Sequence, residues 1–132
     1  MRILLADDHS VVRRGLRTLL ETQSGWEICG EAASGREAIE QARELKPDVI
    51  VMDISMPDLN GLEATRQITR KDPNTEVLIL TLYDSDQMIR EARDAGAHGY
   101  ILKSGLDSDL LAAVRSLAEH RPYFRNSAEY AV

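Results

Sequence analysis

Val49-Ile50-Val51-Met52-Asp53 is an apolar run of strand length that ends on an acid. It shows no polar residue on either face, as expected of a strand covered by helices on both sides. Asn60, with Glu63 three residues on, then reads as a helix cap, and Leu62, Thr65 and Ile68 form one stripe of the helix that follows.

The same alternation extends in both directions. Strands are expected at about 2–6, 26–32, 48–53, 76–81 and 98–102. Helical stripes lie between and after them: Val12, Leu16, Leu19 and Leu20; Ala38, Ala42 and Leu45; Ile89, Ala92 and Ala95; Leu110, Leu111, Val114 and Leu117. Ser34 with Glu37 reads as another cap, and Gly96 stands where the fourth helix should stop. Strand followed by helix, repeated, is the pattern of an α/β domain with a parallel sheet.

Strands 1, 3 and 4 are apolar on both faces, whereas Trp26-Glu27-Ile28-Cys29-Gly30-Glu31-Ala32 alternates with charge and the fifth strand is mixed. The first three therefore belong inside and strands 2 and 5 at the edges. Right-handed crossovers then give a doubly wound order 2-1-3-4-5, in which ligands bind beyond the carboxyl ends of the strands.

The chain has 132 residues, 43% hydrophobic and 29% charged, with a net charge of −6. This suits one folded domain. Its sign disfavours direct phosphate contacts with nucleic acid. One cysteine, Cys29, excludes an internal disulfide and is expected to have no redox role. No apolar run approaches the roughly 18–20 residues of a membrane span, and a cytoplasmic location is expected. From His120 the periodicity is lost, so residues 1–120 read as the domain and 121–132 as a tail or the start of a linker.

Asp7 and Asp8 follow strand 1, Asp53 ends strand 3, Thr81 ends strand 4 and Lys103 follows strand 5. Taken singly, each has an ordinary explanation: Asp8 could cap the first helix, and Lys103 could be a solvated lysine. Together they stand on one edge of the sheet. Three carboxylates there need compensating cations, and Lys103 with a hard divalent cation supplies three positive charges. Magnesium suits carboxylates, a carbonyl, waters and a phosphate oxygen, and a carboxylate can attack a phosphoryl group.

From Arg2 to about His120 the sequence resembles the receiver domain of bacterial two-component response regulators. The motifs are Leu5-Ala6-Asp7-Asp8-His9, Asp53-Ile54-Ser55-Met56-Pro57-Asp58-Leu59-Asn60-Gly61, Leu80-Thr81 and Ala95-Gly96-Ala97-His98-Gly99-Tyr100-Ile101-Leu102-Lys103. The resemblance implies a flavodoxin-like (βα)5 fold and a phosphorylation-dependent switch rather than an enzyme. Asp53 would accept the phosphoryl group from a sensor histidine kinase. Asp8, Asp53 and the Ser55 main-chain carbonyl would bind magnesium, or manganese in its place, with Asp7 acting through water. Thr81 and Lys103 would stabilise the phosphoryl group, Thr81 and Tyr100 would form a switch pair, and Pro57 and Gly61 would shape the loop.

Asp-Asp-His, Gly-Tyr-Ile-Leu-Lys-Ser and His-Arg-Pro-Tyr resemble the NarL/FixJ, or LuxR-type, subfamily. Its members usually carry a C-terminal helix-turn-helix domain that binds DNA. A transcription regulator shortened to its receiver is thus expected, with DNA reached only through a domain absent from these residues. A phosphorylation-dependent homodimer, through helices 1 and 5 or the helix 4–strand 5–helix 5 face, is also implied. Two departures stand out. Leu82 replaces a small residue and is expected to narrow access to the acyl phosphate; Ser104 replaces a proline and leaves the conformation of the preceding peptide open. His9 reads as a neighbour of the acids rather than a ligand. A haloacid-dehalogenase-type phosphatase would need Asp-x-Asp after strand 1, which Asp7-Asp8-His9-Ser10 lacks. A receiver that works without phosphorylation would usually lose an acid or the lysine, and all are present here.

Overall fold

A computed structural model describes residues 1–124. The elements run β1 (Arg2–Ala6), α1 (Ser10–Leu20), β2 (Glu27–Ala32), α2 (Gly35–Leu45), β3 (Val49–Asp53), α3 (Gly61–Lys71), β4 (Glu76–Thr81), α4 (Asp86–Asp94), β5 (Gly99–Leu102), a 3₁₀ turn (Lys103–Gly105), α5 (Leu106–Ala118) and β6 (Tyr123–Phe124). All strand pairs are parallel, in the order β2-β1-β3-β4-β5-β6. The five expected strands, their order and the five helices are as the sequence pattern implied.

Alternation along the buried strands sorts the core into two layers. Leu4, Ile50, Met52, Val77, Ile79 and Tyr100 face α2, α3 and α4 through Ala38, Ala64, Ile68, Ile89 and Ala92. Ile3, Leu5, Val49, Val51, Leu78, Leu80 and Ile101 face α1 and α5 through Leu16, Leu20, Leu110, Val114 and Leu117. No described helix is long and apolar enough to cross a membrane.

The helix ends follow the local chemistry. Ser34 Oγ accepts the Glu37 N–H at 3.1 Å and Asn60 Oδ1 accepts the Glu63 N–H at 2.9 Å, each satisfying a donor that the first turn leaves open. Gly96 has φ +102, and its N–H closes the end of α4 on the Arg93 carbonyl. Asp8 does not cap α1. The capping position is His9, without a side-chain bond.

Two expectations about the far side of the sheet change. β5 is not an outer strand: all four of its residues are buried. The segment that reads as a tail supplies the reason, because Tyr123 and Phe124 pair with Gly99 and Tyr100 as a sixth strand. Two residues behind Arg121-Pro122 are too few to show any alternation. This strand runs along β5 on one of the faces expected to pair two copies. The remainder of the expected tail, residues 125–132, lies outside the described residues.

Candidate functional site: an acidic cluster at the carboxyl ends of the strands

β1, β3, β4 and β5 lie side by side, so whatever follows their last residues meets at one edge. Asp7 follows β1 and is fully buried, and Asp53 closes β3 with 2% exposure. Lys103, in the turn after β5, places Nζ 3.1 Å from Asp7 Oδ2 and 3.1 Å from Asp53 Oδ1. Asp53 Oδ1 also accepts the Ser55 N–H at 3.4 Å. Its other oxygen, Oδ2, is buried and has no hydrogen-bond partner among the described residues.

Two of the expected residues approach from the solvent side. Asp8 is partly exposed, and His9 Nδ1 lies 3.1 Å from Asp8 and 3.3 Å from Asp7. Asp7, Asp8, His9 and Asp53 each offer one ligand atom, all within 4.8 Å of one another. Three of the four donors are carboxylates, which suit a hard cation. That donor set fits a bound metal ion.

The electrostatics agree. Burial pushes the Asp53 carboxyl above the usual carboxylate range, the Asp7 charge adds to it, and Lys103 pulls against both. Burial disfavours the charged form of Lys103, but Asp53 and Asp7 outweigh it and hold the ammonium above the ordinary lysine value. An acid whose pKa rises on folding stabilises the fold only while protonated. That contribution is present below about pH 4 and is lost as pH rises through the raised value. At neutral pH the ionised Asp53 therefore weighs against the fold. Asp53→Asn should raise the thermal midpoint in metal-free buffer at neutral pH. A lowered midpoint would mean that the carboxylate is a net stabilising partner of Lys103.

The loop after Asp53 is held by backbone contacts. The Gly61 N–H donates to the Ile54 carbonyl at 2.8 Å, and a Cβ on Gly61 would lie 2.1 Å from the Asp53 carbonyl oxygen. The Leu59 N–H donates to the Pro57 carbonyl at 2.8 Å, with Asp58 between them at φ +70. Pro57 thus stands beside the turn at Asp58, and Gly61 is the first residue of α3. Thr81 ends β4 and its Oγ1 accepts the Tyr83 N–H at 3.1 Å. Tyr100 is fully buried and donates its hydroxyl to the Tyr83 carbonyl at 2.7 Å. Burial pushes the Tyr100 phenol up, and the neighbouring Thr81 hydroxyl acts against that rise. Leu82 is 70% exposed. The described residues contain no cis peptide, so the bond between Lys103 and Ser104 is trans.

Three contributors escape a reading of the sequence. Tyr83 joins the expected pair Thr81 and Tyr100, but through its backbone, which no side-chain pattern reveals. Arg13 donates to the Asp7 carbonyl and pairs with Glu31 at 2.9 Å, steadying the turn that carries the acids. Its only signal was a charge on the edge strand. Gly35 admits the loop after β3, since a Cβ there would meet the Leu59 carbonyl oxygen at 2.0 Å. A glycine beside a cap residue carries no mark of that contact.

Comparison with known proteins places this geometry. A family model described as the response regulator receiver domain matches residues 3–115. Over 124 residues the chain is 45% identical to the response regulator protein VraR of Staphylococcus aureus and 43% identical to that of Staphylococcus saprophyticus. Each alignment covers 94% of this chain and 59% of the relative, so the chain spans little more than half their length. A LuxR-family two-component response regulator from Aurantimonas sp. SI85-9A1 is 37% identical with a TM-score of 0.91, covering 96% of this chain and 90% of that one. The isolated REC domain of RcsB from Salmonella enterica serovar Typhimurium, solved with the phosphomimetic BeF3−, is 26% identical with a TM-score of 0.88, covering 98% of this chain and 96% of that one. The matched span takes in every residue of the acidic cluster and its lysine, and the protein belongs to the family of response regulator receiver domains.

Proposed function

We propose that the protein is the phosphoacceptor switch of a two-component system and that Asp53 is its acceptor. The observation that carries this reading is the asymmetry of the Asp53 carboxylate. Oδ1 is held by Lys103 and the Ser55 N–H, while Oδ2 is buried and unpartnered among the described residues. One oxygen is anchored and the other is free to act as a nucleophile.

Oδ2 attacks the phosphorus of a phosphohistidine on a sensor histidine kinase. The phosphorus–nitrogen bond breaks, an acyl phosphate forms on Asp53, and the histidine leaves with its electron pair. Asp8, Asp53 and the Ser55 main-chain carbonyl would hold magnesium, with Asp7 acting through water. The ion supplies neutralisation of the carboxylate and phosphoryl charges. Lys103 contributes a fixed positive charge at the same place, and the Thr81 hydroxyl, at the end of the adjacent strand, donates to a phosphoryl oxygen. The chain acts as a substrate that assists its own phosphorylation and dephosphorylation. Its output is a C-terminal DNA-binding domain, as the greater length of its VraR relatives and the DNA interaction named for the longer RcsB response regulator of Salmonella typhimurium support.

The test is intact-mass analysis after incubation with acetyl phosphate. One phosphoryl group is expected with magnesium and none with a chelator, and fragmentation should place it on Asp53. An unmodified protein, or a phosphoryl group on another residue, would overturn the reading.

A further inference from the structure

The chain does not leave the domain directly after α5. It turns at His120, whose φ is +60 and whose Nδ1 lies 3.2 Å from the buried Glu76 carboxylate. The Arg121 N–H donates to the Ser116 carbonyl at 2.9 Å, and Ser116 Oγ donates back to the Arg121 carbonyl at 2.9 Å. Tyr123 donates its N–H to the His98 carbonyl at 3.0 Å and its hydroxyl to Asp109 at 3.2 Å. Phe124 is buried, with the Arg93 guanidinium 5.0 Å above its ring. A glycine makes the slot, because a Cβ on Gly99 would lie 2.8 Å from the Tyr123 carbonyl oxygen.

This segment touches the switch pair. Phe124 is the register partner of Tyr100, and both belong to the same buried cluster. The Tyr100 hydroxyl donates to the Tyr83 carbonyl, and the Tyr83 N–H donates to Thr81 Oγ1. A threonine hydroxyl can accept and donate at once. A phosphoryl oxygen on Asp53 is a charged acceptor, roughly twice as strong as a neutral phenol, and it draws the hydrogen bond that the Thr81 hydroxyl donates. Thr81 Oγ1, polarised in that way, holds the Tyr83 N–H more firmly. The Tyr83 carbonyl then stays in place for Tyr100, whose ring stays beside Phe124.

We propose that His120–Phe124 is a docking strap whose grip on the β5 edge tightens when Asp53 carries a phosphoryl group, so that phosphorylation is read out as the hold on the chain beyond Phe124. This inference rests on the phosphoacceptor reading of Asp53.

Hydrogen exchange at the Tyr123 amide, followed by NMR on the whole chain with and without magnesium and beryllium fluoride, reads the strap without any substitution. Exchange should slow at least about fivefold in the complex, the lower end of usual coupling between sites, and Tyr100→Phe should abolish the slowing. Coupling is reciprocal, so Phe124→Ala, which leaves Asp53 untouched, should weaken beryllium fluoride binding by the same factor. Binding with an unchanged or faster Tyr123 amide would overturn the strap alone. No binding of the anion would overturn the phosphoacceptor reading and the strap with it.

Discussion

Lys103→Ala is expected to slow phosphoryl uptake at Asp53 by about 10²–10³-fold, the usual cost of losing one preorganised group aimed at developing charge, and to leave magnesium binding intact. The ammonium contacts Asp7 Oδ2 and Asp53 Oδ1 at 3.1 Å each and is itself largely buried. Its position is therefore set before any substrate arrives. Removing it takes one positive charge from a pocket that holds three carboxylates, and the two consequences differ in sign. The phosphoryl transfer state loses a partner for its equatorial oxygens. The cation meets a pocket that is more negative than before, so its affinity holds or rises. Time-resolved intact mass with acetyl phosphate gives the first quantity and calorimetric titration with magnesium gives the second. Equal losses in both would reduce Lys103 to a structural lysine that merely keeps Asp7 and Asp53 apart. Lys103→Arg should rescue little, since a planar guanidinium does not replace a compact ammonium between two carboxylates.

Asp7, Asp53, Thr81 and Lys103 were legible because a parallel sheet converts sequence position into spatial position. Once the order of strands 1, 3, 4 and 5 is known, residues at their carboxyl ends must be neighbours, and the apolar character of β1, β3 and β4 is enough to place those strands inside. What stayed hidden has a common physical character. The bond from Tyr100 runs to the Tyr83 carbonyl, and the bond to Thr81 starts from the Tyr83 N–H. Every residue except proline has these groups, so side-chain identity says nothing about where they are used. The same is true of the Asp7 carbonyl that Arg13 holds. β6 was hidden for another reason. Its two residues are stabilised by an edge that exists only after β5 has packed, and by Gly99, whose missing side chain makes room. Reading β5 as mixed gave an edge strand, when its glycine marks the approach of another backbone.

Gly61→Ala is expected to destabilise the domain by about 3 kcal/mol or more, a large share of a typical total of about 5–15 kcal/mol. A Cβ at this position would lie 2.1 Å from the Asp53 carbonyl oxygen, 2.9 Å from its carbonyl carbon and 3.0 Å from the Ile54 Cα. All three are backbone atoms, so no flexible side chain can swing away to make room. Relief requires α3 or the end of β3 to shift, and the end of β3 is Asp53, the proposed acceptor. The molecules that still fold therefore carry a displaced Asp53, and a displacement of about 1 Å at a reacting group costs on the order of 10²-fold in rate. Stability and phosphoryl uptake should fall together, measured by the denaturant midpoint and by the time course of intact mass. Gly15→Ala is the control for glycine replacement itself. Gly15 is exposed within α1 and its Cβ would meet nothing within 4 Å, so alanine there should add about 0.5–1 kcal/mol. A Gly61→Ala protein as stable as wild type, with unchanged uptake, would show that the loop after Asp53 yields freely and that the close approach of α3 plays no part in holding the acceptor.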